Sequence, residues 1–213
     1  DKVKYGTRKS TYEHHFINVP DDAIRVDLNR DCAAADCIAI GIQRSLSYLS
    51  GEASGDRAAT RQAAALRFLG HYIGDLHQPL HVGNASDWGG NKIRVNWLGK
   101  KTNLHALWDY EMPEKMNLRY PDSVLFLANI DVTSNGSVVA WMNESLDLAR
   151  SNAYVSIDGN EIEGGDTINA EYFEKNKPII IKRIAQAATR LARLLNEIAD
   201  GDRPVALHLR PAD

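Results

Sequence analysis

A chain of 213 residues is long enough for one sizeable domain, or at most two small ones. Its 44% apolar and 25% charged content is ordinary for a globular protein. A net charge of −3 gives no basic footprint for duplex nucleic acid, and no apolar run approaches the roughly 18 residues that a membrane-spanning helix needs.

Residues 1–30 read as irregular, with a short extended piece at His15-Phe16-Ile17-Asn18-Val19 ahead of Pro20. The opening Asp1-Lys2-Val3-Lys4 carries no initiator Met and no signal peptide, which reads as a processed or truncated product. Cys32 and Cys37 have only each other as partners within the chain. A small local disulfide suits the polar, Ala-rich loop between them and favours an exported protein; two free thiols in a reducing compartment are the other reading. From about Ala34 to Leu49, apolar Ile38, Ile42, Leu46 and Leu49 recur at helical spacing. A second helix is expected from about Asp56 to His77, with Ala64, Phe68 and Ile73 as buried candidates, and Pro79 ends it. Gly83–Gly90 is a Gly/Asn/Ser/Asp loop. Asn91–Trp97 alternates Ile93, Val95 and Trp97 against Lys92, Arg94 and Asn96, and Leu98-Gly99-Lys100 follows as a turn, so a β-hairpin is expected. Further helices are expected over about Leu104–Lys115, Val138–Asn152 and Pro178–Ala199, the last with a broad apolar face. With no repeat and no linker, the reading is one mainly α-helical domain over residues 1–213 with a small hairpin.

The chemistry lies between Leu66 and Asp109. His71 and Asp75 form one His-x-x-x-Asp pair, His105 and Asp109 another, and His81 ends the run Gln78-Pro79-Leu80-His81 between them. A spacing of four stacks two side chains on one helix face, about one turn apart. One such pair is usually a surface or capping pair. Two pairs with a third histidine between them are a metal-ligand set. His81, His105 and Asp109 make a two-His, one-carboxylate zinc site with open positions, the mark of a catalytic ion. His71 and Asp75 need further partners, for which His15 and Asp1 are candidates, and Asp75 could bridge two ions. Clustered zinc ions suit phosphoryl transfer. His14 has no matched carboxylate, His77 faces away from Asp75, and His208 sits in a Pro/Arg-rich tail, so none of these is read as a ligand.

The segment His71-Tyr72-Ile73-Gly74-Asp75-Leu76-His77-Gln78-Pro79-Leu80-His81 resembles the signature of the zinc-dependent single-strand-specific nucleases, the fungal S-one and P-one type. Gly89-Gly90-Asn91-Lys92-Ile93, Asn103-Leu104-His105-Ala106-Leu107-Trp108-Asp109, His15-Phe16-Ile17-Asn18, and Arg30-Asp31-Cys32 with Cys37 are similar to that family as well. The resemblance implies a mainly α-helical, phospholipase C-like fold with a cluster of three zinc ions in a cleft. It assigns Asp1, His15, His71 and Asp75 to the first zinc, and His81, His105 and Asp109 to the second. Asp75 would bridge to a third, whose remaining ligands lie in a family segment expected upstream of Asp1.

The resemblance also implies substrates, namely single-stranded DNA and RNA cleaved to 5′-phosphate products, and nucleotides stripped of a 3′-phosphate. Phe16 would stack a base, with Trp88 as the facing wall. Asn91 would bind the base edge, and Asn18 stands where the best-known members carry Asp. Lys4 would steady the scissile phosphate, and Asp1 or Asp75 would orient or accept the proton of the attacking water. The product would be secreted or periplasmic, with no membrane span and no oligomer required. The alternative is a zinc phospholipase C, which would use the same metals without the base slot.

Overall fold

The computed structural model describes residues 9–32, 36–52 and 55–202. Asp1 and Lys4 lie outside these residues. After a 3-10 turn at Lys9–His15, the helices are α1 (Leu28–Asp31), α2 (Ile38–Ser47), α3 (Ala58–His77), α4 (Leu104–Ala106), α5 (Met112–Lys115), α6 (Asp122–Ala128), α7 (Val138–Leu148) and α8 (Ala170–Ala199). The strands are β1 (Arg94–Trp97), β2 (Lys100–Asn103) and β3 (Thr167–Ile168). The architecture is mainly α with one small sheet.

The buried side chains of α2 and α3 set the larger core. Ile38, Ile42 and Leu46 project from α2 onto Leu69, Tyr72, Ile73 and Leu76 of α3. Trp141, Met142 and Leu146 of α7 and Leu194 of α8 close over them. Each fully buried Leu or Ile contributes about 1.5–3 kcal/mol. Ala64, an expected core position, is exposed. The inward stripe of α3 runs through Ala65, Leu69, Tyr72, Ile73 and Leu76, and Ala64 falls beside it. A second core gathers Leu80, Leu104, Leu107, Trp108, Tyr172 and Phe173 around the sheet.

The hairpin forms in the expected place. Leu98 and Gly99 both have positive φ, 47° and 81°, which is the two-residue turn that matches the twist of antiparallel strands. β1 pairs β2 antiparallel, and β3 adds parallel to the other edge of β1, a strand with no signal in the sequence. Three helical segments depart from their expected course. The chain from Leu104 to Lys115 is helical but widens into a π-type turn at Leu107–Glu111, and α7 passes into another at Ala149–Ala153. α8 starts eight positions before Pro178, at Ala170 behind an Asn169 cap, and carries that proline on its exposed side. α6, rich in exposed apolar side chains, is an addition to the expected set.

The residues following His15 are indeed extended. Ile17 N–H donates to His81 O (2.9 Å), Val19 N–H to Gly83 O (2.9 Å) and Ala85 N–H to Val19 O (2.9 Å). This short parallel ladder lays His15 and Phe16 beside His81. Cys32 and Cys37 are disulfide-bonded, tying α1 to the start of α2.

Candidate metal centre and cleft

α3 delivers His71 and Asp75 from its last two turns, where Gly74 and His77 alternate with them around the helix. Pro79 then stops the helix, and the 3-10 turn Pro79–Val82 swings His81 back over the same region. Asn103 caps α4 through Ala106 N–H (2.7 Å), and the following π-type turn carries Asp109. π-bulges are common at functional sites because they re-aim one side chain without ending the helix.

These elements bring six of the expected ligands into two groups. His15, His71 and Asp75 form one, and His81, His105 and Asp109 the other; within each, the donor atoms lie within 4.8 Å of one another. His15 Nδ1 is 2.8 Å and His71 Nε2 3.3 Å from the same Asp75 oxygen, Oδ2. His81 Nε2 is 3.0 Å from Asp109 Oδ1. The groups adjoin at Asp75, whose Oδ1 lies 3.9 Å from His81 Nδ1. Asp75 is thus placed between the two sets.

The donors fit divalent zinc. His81 Nδ1–H donates to His15 O (2.6 Å) and His105 Nδ1–H to Gly89 O (2.8 Å). Anchoring one ring nitrogen on a carbonyl fixes the tautomer and presents Nε2 as a ligand. His15 Nε2 is buried and has no hydrogen-bond partner, an orphan beside a group of ligand atoms. Burial disfavours charge on His81, but the Asp75 charge and the Asp109 hydrogen bond outweigh it and hold the imidazole at a pKa of about 9. Burial also disfavours ionised Asp109, but the His81 hydrogen bond and charge, the His105 charge and a Gln78 hydrogen bond prevail and hold it below the usual carboxylate range. Clustered imidazoles that share protons with carboxylates in this way exchange those protons for a cation.

The other histidines have structural places. His77 Nδ1–H donates to Ile73 O (2.7 Å), and its Nε2 accepts from Arg190 Nη1 (2.9 Å). Burial, with the Arg183 charge, pushes its pKa down to about 2, so it is a neutral strut. His14, for which the sequence offers no carboxylate, finds Asp36 at 2.8 Å across the fold. His208 lies outside the described residues.

Beside the second group opens a cleft of about 760 Å³ lined by Phe16, Asn18, Trp88 and Asn91 together with His81 and His105. All four residues expected to bind substrate therefore line one cavity beside two of the candidate metal ligands. Trp88 is 61% exposed, and its φ of +58° is a left-handed backbone that a bulky residue rarely holds. The loop enforces it: Asp87 accepts from Gly90 N–H (2.6 Å) and from Tyr154 O–H (3.0 Å), while Gly89 N–H donates to Asn84 O (3.0 Å). Sequence reasoning missed Tyr12, Glu13, Lys92, Arg94 and Asn103, which share the cleft. The alternation of Lys92 and Arg94 against buried Val95 was the available signal; Tyr12 and Glu13 had none. A smaller cavity of about 280 Å³, lined by Asp75, Asp109, Trp108 and Ile180 among others, approaches the same carboxylates from behind.

The S1/P1 Nuclease family model matches residues 1–200 of this sequence. The chain belongs to the S1/P1 nuclease family. Endonuclease 1 of Arabidopsis thaliana is 32% identical over 234 residues, covering 97% of this chain and 75% of that protein. Nuclease S1 of Aspergillus oryzae is 33% identical over 210 residues, 87% of this chain and 71% of the relative. Nuclease P1 of Penicillium citrinum matches a shorter stretch, 40% identical over 105 residues, 48% of this chain and 37% of the relative. Membership accords with the helical fold, the disulfide and the two candidate metal groups, and among the described residues no helix is long and apolar enough to cross a membrane.

Proposed function

We propose that this S1/P1 family member is a zinc-dependent endonuclease that hydrolyses single-stranded DNA and RNA to 5′-phosphate products and removes 3′-phosphates from nucleotides. The observation that carries the proposal is one cleft whose walls combine the aromatic side chains Phe16 and Trp88 with His81 and His105 of the second candidate metal group.

Zinc, when bound, supplies a Lewis acid that acidifies water and neutralises phosphoryl charge. The chain's own residues do the rest. His81, His105 and Asp109 would hold one ion, and His15, His71 and Asp75, completed by Asp1, another. Further ions at Asp75 would need ligands beyond the described residues. Asp75, between the groups, would orient the attacking water or take its proton. Lys4 would steady the scissile phosphate.

Phe16 and Trp88 would stack a base, worth about 1–3 kcal/mol and nearly blind to base identity. Asn91 donates Nδ2 to Trp88 O (2.8 Å), which presents Oδ1 to a base edge. Asn18 would offer both a donor and an acceptor to the same base. A paired base must leave its stack before it enters the slot, and single strands avoid that expense. The disulfide suits an oxidising compartment, so the protein is proposed to be secreted or periplasmic.

The aromatic slot favours this reading over a phospholipase C. The test sets the zinc-loaded protein against single-stranded DNA, duplex DNA, a 3′-nucleotide and a choline phospholipid. Rapid single-strand cleavage that collapses in His81→Ala, with circular dichroism unchanged, is the expected result. Phospholipid turnover without cleavage of single strands would overturn the proposal.

A further inference from the structure

The outer face of the hairpin carries cations that the base slot does not use. Arg94 pairs with Asn103 and Asn96 with Lys101 across the β1–β2 ladder. Paired residues of antiparallel strands lie on one face, and so do alternate residues of a strand. Arg94, Asn96, Lys101 and Asn103 therefore share a face, while Val95 and Trp97 are buried on the other. Arg94 and Asn103 already line the cleft, and Lys101 stands one diagonal step beyond them.

The cations are available. Arg94 and Lys101 are exposed, and among the described residues neither side chain has an ion pair or hydrogen bond. Lys92, nearer the slot, sits 4.4 Å over the Trp88 ring and donates to Ser86 O (2.7 Å), so it is committed to the loop. Charge in the cleft is divided by wall. Glu13 lies on the wall that carries Tyr12 and Phe16, and the cations lie on the hairpin. The acids of the 163–166 turn flank the far edge of β1, where Asp166 Oδ2 accepts from Glu163 N–H (2.9 Å).

We infer that this hairpin face is a phosphate track for single-stranded polynucleotide leaving the cleft. Arg94 and Lys101 would contact successive phosphates while bases turn toward the aromatic wall. Diagonal neighbours on paired antiparallel strands, as Arg94 and Lys101 are, lie about 7–8 Å apart, on the order of the phosphate spacing of an extended single strand. With a net charge of −3, the molecule offers no general attraction to a polyanion, so such local cations decide where a strand lies. The inference rests on the nuclease reading and deepens it: the preferred substrate is a polymer extending past the slot, not a dinucleotide.

The experiment compares wild type, Lys101→Gln and an Arg94→Gln/Lys101→Gln double variant. Hydrolysis is measured on a dinucleotide and on a single-stranded oligomer of about 20 nucleotides, longer than a slot can hold. Binding of the same oligomer with phosphorothioate linkages is followed by fluorescence anisotropy at about 50 and 200 mM salt. Two lost phosphate contacts remove about 1.4 from the logarithmic salt slope, so wild type should lose about sevenfold more affinity than the double variant between those salts. Lys101→Gln should raise KM for the oligomer and leave dinucleotide hydrolysis unchanged. Identical salt slopes in all three proteins, absent binding, or equal losses on both substrates would overturn the track. A wild type that binds the oligomer but cleaves neither substrate would refute the nuclease reading alone.

Discussion

Glu144 is a half-exposed carboxylate set against two buried guanidinium groups. It accepts from Arg183 Nη1 (2.7 Å) and from Arg190 Nη1 (2.6 Å) and Nη2 (2.8 Å). Burial disfavours its ionised form, but the hydrogen bonds from Arg190 and then Arg183 outweigh this and hold its pKa below the ordinary glutamate value. A carboxylate with a depressed pKa contributes stability above its unfolded pKa and loses it as pH falls. Glu144→Gln should therefore destabilise the protein at pH 7 by about 1–3 kcal/mol, with solvent screening pulling toward the lower figure. The gap between variant and wild type should close as pH drops below about 4.5. Urea denaturation across pH 3.5 to 7 measures it, and a constant gap would show that the charge is immaterial. Trp88 is a residue of the opposite kind, held in a strained conformation and exposed. A left-handed backbone costs a side chain about 1–2 kcal/mol, which glycine avoids. Trp88→Gly should keep stability within about 1 kcal/mol of wild type while KM for single strands rises about 5- to 150-fold, the value of one stacked base. An unchanged KM would remove Trp88 from the slot.

The loop between the 3-10 turn and β1 is the element on which the two halves of the site converge. Gly89 has φ +60°, and a Cβ there would stand 2.2 Å from Leu80 O, which is backbone and cannot yield. Its own carbonyl accepts from His105 Nδ1 (2.8 Å), so moving the loop also turns a proposed ligand. Gly89→Ala should destabilise by at least about 2 kcal/mol and lower zinc affinity about 10- to 100-fold, as losses of a ligand's hydrogen-bonded support do. Denaturation and competitive zinc titration check the two effects, and a variant with normal zinc affinity would show that Gly89 O does not orient His105. Elements of this kind differ in how plainly the sequence announces them. α2 was readable because Ile38, Ile42 and Leu46 serve a single buried face. The His-x-x-x-Asp pairs were readable because helical periodicity places both members locally. The start of α8 was not, since Pro178 signals a break and only its exposed setting lets the helix run through. β3 was unreadable because a two-residue strand is defined by its partner, β1. The cleft's cations were visible as alternation, but their convergence with Phe16 depends on the ladder between residues 15–19 and 81–85, a contact between segments far apart in sequence.

At the scale of the whole molecule, the candidate metal centre lies on a seam. His15, His71 and Asp75 hang from elements of the larger core, through Ile17, Tyr72, Ile73 and Leu76. His105 and Asp109 are flanked by Leu104, Leu107 and Trp108 of the second core, and His81 stands between Leu80 of the second and Val82 of the first. Polar ties across this seam include the His81 contacts with the His15 carbonyl and with Asp75, and the Ile17 N–H bond to the His81 carbonyl. Cations held by both groups would add bonds across this seam, so metal binding should be felt as folding stability. A ligand at about 100 times its Kd stabilises the native state by about 2.7 kcal/mol. For a chain of this size each kcal/mol moves Tm by about 2–4 °C, so chelation should lower Tm by roughly 5–11 °C relative to the zinc-loaded protein. His81→Ala should abolish most of that difference, because it removes a proposed ligand together with the contacts that cross the seam. Differential scanning calorimetry with and without chelator tests both statements. Equal Tm values for loaded and chelated wild type would mean that the two cores stand without the metal, and that the His/Asp groups contribute nothing to holding them together.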